Sequence, residues 1–180
     1  MSPAFLIPAD GWLPSARRVE SENFDERPAG SAISLIVIHA ISLPPGQFGG
    51  DPIERLFTNS LDPAAHPYFE AIAGTRVSAH LLIRRHGGLL QFVSCLKRAW
   101  HAGKSIWQGV ERCNDFSIGV ELEGSDDTAF TDAQYARLNE LVALLRAAYP
   151  IASVVGHSDV SPARKTDPGP HFHWHRIACA

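Results

Sequence analysis

Two histidines, His39 and His157, each close an apolar, strand-like run where the chain turns into a loop. Side chains at the ends of buried strands are held rigidly, as a metal or catalytic site requires. Beyond His157 comes Asp167, inside Lys165-Thr166-Asp167-Pro168-Gly169-Pro170. Two prolines and a glycine make a stiff turn there that can fix the direction of a carboxylate. Two imidazoles and one carboxylate match a catalytic zinc site, which uses three protein ligands and keeps a fourth position for water. Each residue also has a plainer role open to it. A strand-end His serves elsewhere as a hydrogen-bonded structural residue, and an Asp before Pro as a turn former. The chain holds nine histidines, so spacing alone does not choose this set.

Glu121 lies between Val120 and Leu122, where a carboxylate is poorly placed for solvent unless its face lines a cleft. In a cleft it would act as general base on a zinc-activated water. The alternative is the exposed outer face of an antiparallel sheet, the placement expected for Glu123. Lys165 would bring an ammonium close to Asp167 and stabilise a developing oxyanion; viewed alone it reads equally as a surface lysine. His171, His173 and His175 read as an incidental surface cluster, and there is no His-Glu-x-x-His helix of the zinc peptidases.

The elements that must position these groups are legible in outline. Ile33 to His39 is almost continuously apolar and rich in β-branched residues, as a buried central strand is. Ala79 to Arg84 and Leu89 to Val93 flank His86-Gly87-Gly88 and predict a hairpin. Phe116 to Glu123 alternates over its second half, with Ile118, Val120 and Leu122 on one face and Glu121 and Glu123 on the other. Thr131 and Gln134 form a capping box for a helix whose apolar stripe is Tyr135, Leu138, Leu141, Val142 and Leu145, and Pro150 stops it. A short strand follows from Ile151 to Val155, and a second helix is expected near Ile53 to Asn59. The segment from Ser42 to about Arg76 holds five prolines and reads either as a lid over a cleft or as a packed excursion. Strands mixed with a few helices predict an α/β or α+β domain with helices covering a central sheet.

Composition bounds the setting. The chain has 180 residues, enough for one domain with one sizeable core, and a formal net charge of −3, so no sequence-wide basic field draws it to nucleic acid. Arg17-Arg18 and Arg84-Arg85 read as solvated surface pairs. Cys95, Cys113 and Cys179 are odd in number with no CxxC pair, as expected of free thiols in a reducing compartment. The start lacks a signal-peptide pattern and no run approaches a membrane span, so a cytoplasmic protein without membrane association is expected.

At these residues the chain resembles the type 2 N-acetylmuramoyl-L-alanine amidases, a family that also includes the peptidoglycan recognition proteins. The resemblance runs from Gly11-Trp12-Leu13 to Trp174. Its most specific stretches are Ser42-Leu43-Pro44-Pro45-Gly46, Arg98-Ala99-Trp100-His101-Ala102-Gly103, Asn114-Asp115-Phe116-Ser117-Ile118-Gly119-Val120-Glu121, Gly156-His157-Ser158-Asp159 and Arg164-Lys165-Thr166-Asp167-Pro168-Gly169-Pro170. The pattern is nearest to the family's cytoplasmic members that act on 1,6-anhydromuropeptides in cell-wall recycling.

The resemblance implies an α/β single domain spanning 1–180, with a catalytic core of about 30–175 and a central mixed β-sheet flanked by helices. It implies one Zn2+ per chain on His39, His157 and Asp167, with Glu121 and Lys165 catalytic. It suggests that Arg76 and Arg112 bind carboxylates of a peptide stem, a task that suits bidentate Arg pairing, and that Trp100 walls the cleft. The expected partner is a muropeptide substrate, and the expected state a monomer. One departure is visible: the family's usual Asn after the first zinc His is Ala40 here, which removes an amide from the cleft. A non-catalytic muropeptide-binding module is the alternative, although such modules typically lose a ligand and all three are present.

Overall fold

The computed structural model describes residues 7–178, so Cys179 and the first six residues lie outside the described part. In chain order the elements are β1 (Arg17–Arg18), β2 (Phe24–Asp25), β3 (Leu35–Ile41), α1 (Pro52–Phe57), α2 (Pro67–Ala71), β4 (Leu81–Ile83), β5 (Leu89–Gln91), β6 (Arg98–Ala99), β7 (Ile106–Trp107), β8 (Val110–Glu111), β9 (Ser117–Glu123), α3 (Asp132–Ala148), β10 (Ser153–Gly156) and α4 (His157–Val160). A six-stranded sheet carries them in the order β1-β5-β4-β9-β3-β10. β4 and β5 form the expected antiparallel hairpin, turned by Gly87 at φ 84°, and the other neighbours in this sheet are parallel.

Parallel strands covered on both faces explain the unbroken apolar run of β3. On one face Ile36, Ile38 and Val120 pack under Leu138, Leu141 and Leu145 of α3. On the other, Leu35 and Val37 meet Val155 and Val160, while Leu82 and Leu90 meet Ile53 and Phe57. The capping box opens α3 as expected: Thr131 Oγ1 accepts the Gln134 N–H at 3.1 Å and Gln134 Oε1 accepts the Thr131 N–H at 3.0 Å. The helix ends at Tyr149, whose ψ of 153° is the extended backbone a residue before proline must adopt.

Three expectations need correction. β3 does not stop at His39 but continues through Ile41. Glu123 is not on an exposed antiparallel face, because β9 is parallel to both neighbours and that face is covered; Glu123 is 2% exposed. Arg84 is not a solvated cation either. It is buried and pairs with Glu123 and Glu54, each at 2.8 Å. Glu123 also accepts the N–H groups of Gly49 at 2.7 Å and Arg85 at 3.1 Å.

This cluster ties down the Ser42–Arg76 segment. Arg84 donates to Gly50 O at 2.9 Å, and Asn23 Nδ2 donates to Phe57 O and Asn59 Oδ1. Ile53, Leu56, Phe57 and Phe69 of the segment itself are buried. Its first half is therefore a packed excursion anchored to the sheet, and a one-turn helix, α2, follows with Pro67 in its first turn.

Candidate metal centre and active site

Register brings the chemistry together. β3 pairs with β9 so that His39 faces Glu121, and with β10 so that Ile38 faces Gly156, the residue before His157. Residues paired across neighbouring strands project to the same face. His39 and Glu121 therefore point into one cleft, and His157, opening α4, joins them at the carboxyl ends of the parallel strands. Open α/β sheets place their ligands at that end. Asp167 arrives on the loop after α4, where its carbonyl accepts the Ser158 N–H at 2.9 Å.

His39 Nδ1 and His157 Nδ1 lie 2.9 Å apart, and Asp167 Oδ2 stands 3.2 Å from the first and 3.1 Å from the second. Among the described residues, this is the group of His, Cys, Asp or Glu side chains whose ligand atoms gather closely enough to share an ion. Donor atoms about 2 Å from a tetrahedral zinc stand about 3.3 Å from one another, so the spacing fits. The electrostatics fit as well. Burial lowers the His39 pKa to about 4, against the opposing pull of Asp167, so the imidazole is neutral as a ligand must be. Burial pushes the Asp167 carboxyl up, but the adjoining His157 and His39 imidazoles outweigh it and hold the group well below the usual carboxylate range.

Groups behind the ligands orient them. His157 Nε2 stands 3.3 Å from Ala102 O. A carbonyl only accepts, so that nitrogen carries the proton and Nδ1 keeps its lone pair. His39 Nε2 stands 2.9 Å from His101 Nδ1, and His101 Nε2 lies 3.1 Å from Ser117 Oγ. The sequence reading assigned no role to His101 or Ser117. The one local trace of them in the sequence is Gly119, an isolated glycine inside a strand pattern, the kind of position that marks a close approach. A Cβ there would stand 2.4 Å from the His101 ring.

The cleft is a cavity of about 420 Å³, into which His39, His157, Asp167, Glu121, Lys165 and Trp100 all face. Leu43 and Ile72 add apolar wall, and Ala40 lines it where the family usually has Asn. Glu121 is 8% exposed, and its Oε2 has no hydrogen-bond partner. Burial, reinforced by the Asp167 charge, pushes its pKa well above the ordinary value. A buried carboxyl with an open lone pair beside a three-donor cluster is equipped to take a proton from a molecule entering the cleft.

The two arginines lie elsewhere. Arg76 borders a neighbouring depression of about 240 Å³ that shares Leu56, Ile72 and Thr75 with the cleft, and its Nε donates to Asn23 Oδ1 at 3.3 Å. Arg112 pairs with Asp115 at 3.2 Å on a separate depression with Lys104 and Arg164, which shares no lining residue with the cleft. His171, His173 and His175 are exposed and outside the three-donor group. Cys95 and Cys113 are buried free thiols, and burial pushes the Cys95 pKa up to about 12.

With this geometry in view, the comparisons with known proteins converge. The family described as N-acetylmuramoyl-L-alanine amidase matches residues 29–170. The chain is 56% identical over 174 residues to the 1,6-anhydro-N-acetylmuramyl-L-alanine amidase AmpD of Salmonella typhimurium, covering 96% of this chain and 93% of that one. It superposes on a crystal structure of a Se-Met AmpD derivative with a TM-score of 0.90 at 57% identity, covering 93% of this chain and 95% of that one. AmiD of E. coli, solved with anhydro-N-acetylmuramic acid-L-Ala-D-gamma-Glu-L-Lys, is similar at 28% identity and a TM-score of 0.59, over 87% of this chain and 65% of that one. A fold, a donor set and a sequence shared this extensively place the chain in one family: it is an amidase belonging to the N-acetylmuramoyl-L-alanine amidases.

Proposed function

We propose that this enzyme is a zinc hydrolase that cuts the amide bond between 1,6-anhydro-N-acetylmuramic acid and L-alanine in muropeptides, and that it does so in the cytoplasm as part of cell-wall recycling. The observation that carries the reading is the convergence of His39 Nδ1, His157 Nδ1 and Asp167 Oδ2 beside the unpartnered Oε2 of Glu121. The name of its AmpD relatives and the ligand in the AmiD structure support the substrate. No helix among the described residues is long and apolar enough to cross a membrane.

His39, His157 and Asp167 would hold the zinc, which when bound supplies a Lewis acid that acidifies water and polarises the scissile carbonyl. Glu121 accepts a proton as water attacks the lactyl carbonyl carbon. The new C–O bond leaves negative charge on the former carbonyl oxygen, which the Lys165 ammonium offsets. Glu121 then returns the proton to the L-alanine nitrogen as the C–N bond breaks, and the new carboxyl group on the sugar passes its own proton to the freed amine, leaving a carboxylate and a peptide ammonium. Trp100, Leu43 and Ile72 hold the apolar face of the substrate and exclude water. Arg76, which borders the adjoining depression, would meet a carboxylate of a peptide stem that extends from the cleft.

Lys165 is exposed and holds no metal, so Lys165→Ala should keep its zinc and fold normally. Loss of one oxyanion partner costs on the order of a hundredfold in rate. That drop should appear in kcat, with zinc content by elemental analysis unchanged; turnover near that of the parent would remove Lys165 from the mechanism.

The reading as a whole is tested by mass spectrometry of an anhydromuropeptide digest, run with and without a chelator. Free stem peptide and anhydro sugar should appear only when metal is present. A binding module would leave the substrate intact in both.

A further inference from the structure

The two histidine ligands are oriented by partners of different kinds. His157 Nε2 faces Ala102 O, and an acceptor that can never donate dictates the tautomer. His39 Nε2 faces His101 Nδ1, an atom that accepts in one tautomer of its ring and donates in the other. Were His101 to donate, His39 would carry its own proton on Nδ1 and its lone pair would point away from Asp167 and His157.

The surroundings of His101 bear on that choice. Its Nε2 lies 3.1 Å from Ser117 Oγ, which can take an N–H, and its ring fills the space at Gly119 where a Cβ would stand 2.4 Å from it. The neighbouring ring, His80, sits 5.6 Å away centroid to centroid. It is committed elsewhere: its Nδ1 accepts the Gly119 N–H at 3.0 Å, so its Nε2–H donates to Lys97 O at 3.0 Å. His80 therefore does not compete for either nitrogen of His101.

We propose that His101 is a positioning residue for the metal centre. Its Nδ1 accepts the Nε2–H of His39, its own Nε2–H rests on Ser117, and His39 is thereby fixed with its Nδ1 lone pair toward Asp167 and His157. Ser117 and the missing side chain of Gly119 are parts of the same device. This rests on the zinc reading of the site. Partners that orient a histidine ligand in this way are typically worth 10–100-fold in metal affinity.

The test is zinc affinity measured by competition with a chromophoric chelator on the full chain. His101→Leu keeps the volume and removes the acceptor, and should bind zinc about 10–100-fold more weakly than the parent. His101→Asn places Oδ1 where Nδ1 stood, and should recover most of that loss. Gly119→Ala pushes the ring aside and should resemble His101→Leu. Thermal unfolding in excess chelator reads the metal-free fold separately, and the gain in Tm on adding zinc should shrink in His101→Leu and return in His101→Asn. Parent-like zinc binding by His101→Leu would overturn the proposal. So would equal weakening in the Leu and Asn variants, because packing alone does not distinguish an acceptor from a methyl group. A parent chain that bound no zinc would instead overturn the metal reading beneath it.

Discussion

Glu121→Gln should retain its zinc and lose about 10²–10⁴-fold in kcat, the range that general acid–base catalysis contributes. Gln fills the same volume between Val120 and Leu122 and keeps the strand pairing of β9 with β3 and β4. What it removes is the capacity to accept a proton from water and return it to the leaving nitrogen. KM should change little, since the cleft walls are untouched. The fold should not suffer. Glu121 is buried with one oxygen unpartnered, and burial raises its pKa well above the ordinary value. A carboxyl whose folded pKa exceeds its unfolded one favours the native state when protonated, and that advantage fades as pH rises from the unfolded value through the folded one. At neutral pH the metal-free parent therefore bears a cost that the neutral Gln lacks, and Glu121→Gln should unfold no more easily than the parent under chelator. Steady-state kinetics beside elemental analysis check the first claim, and chelated thermal melts the second. A variant that kept zinc and turned over at the parental rate would take Glu121 out of the chemistry.

Local patterns announced most of the scaffold around this residue. Alternation in β9 put Glu121 on the face opposite Ile118, Val120 and Leu122, and a reciprocal cap at Thr131 and Gln134 marked where α3 begins; both depend on neighbours a few residues away. Pairing across the sheet is different. Nothing near Glu123 says that β9 lies between two parallel partners, and an alternating strand suggests an open antiparallel face. Burial of Glu123 follows from Arg84, 39 residues earlier, and from Gly49. His101 was invisible for the same reason, since it reaches His39 across 62 residues and its partner Ser117 across 16. Gly119 was the local trace of that contact. The three candidate ligands were legible only as residue types, two histidines closing apolar runs and an aspartate in a stiff turn, and their convergence depended on the register of β3, β9 and β10, which no short window contains. Arg112, in turn, sits on a loop whose path the sequence does not constrain, and it reaches Asp115 rather than the cleft.

Arg84→Ala should cost about 3–5 kcal/mol of stability, the usual consequence of stripping one partner from a buried ion pair. Arg84 and Glu123 are 6% and 2% exposed, and the guanidinium also binds Glu54 and the Gly50 carbonyl. Without it, Glu123 keeps its bonds from the Gly49 and Arg85 amides but loses its counter-charge, and Glu54 of α1 is left with Arg17 of β1 alone. Acid should reveal the same network. Burial pushes the Glu123 carboxyl up, but the two amides and Arg84 outweigh it and hold its pKa below the ordinary value. A folded pKa below the unfolded one means that the contribution is complete above the unfolded value, about 4.3, and is lost as pH falls through the folded one. The parent should therefore lose more stability across that window than Arg84→Ala does. Replacing Arg84 and Glu123 with apolar residues, as in Arg84→Met with Glu123→Leu, should regain part of the loss, because no buried charge is left unpaired, Glu54 keeping Arg17 at 2.7 Å, while the Gly49 and Arg85 amides lose their acceptor. Urea unfolding of the three proteins at neutral and acid pH measures all of this. If Arg84→Ala fell within about 1 kcal/mol of the parent, the range of exposed ion pairs, the cluster would be no anchor, and the first half of the Ser42–Arg76 segment would owe its place to the packing of Ile53, Leu56 and Phe57 and to the Asn23 amide.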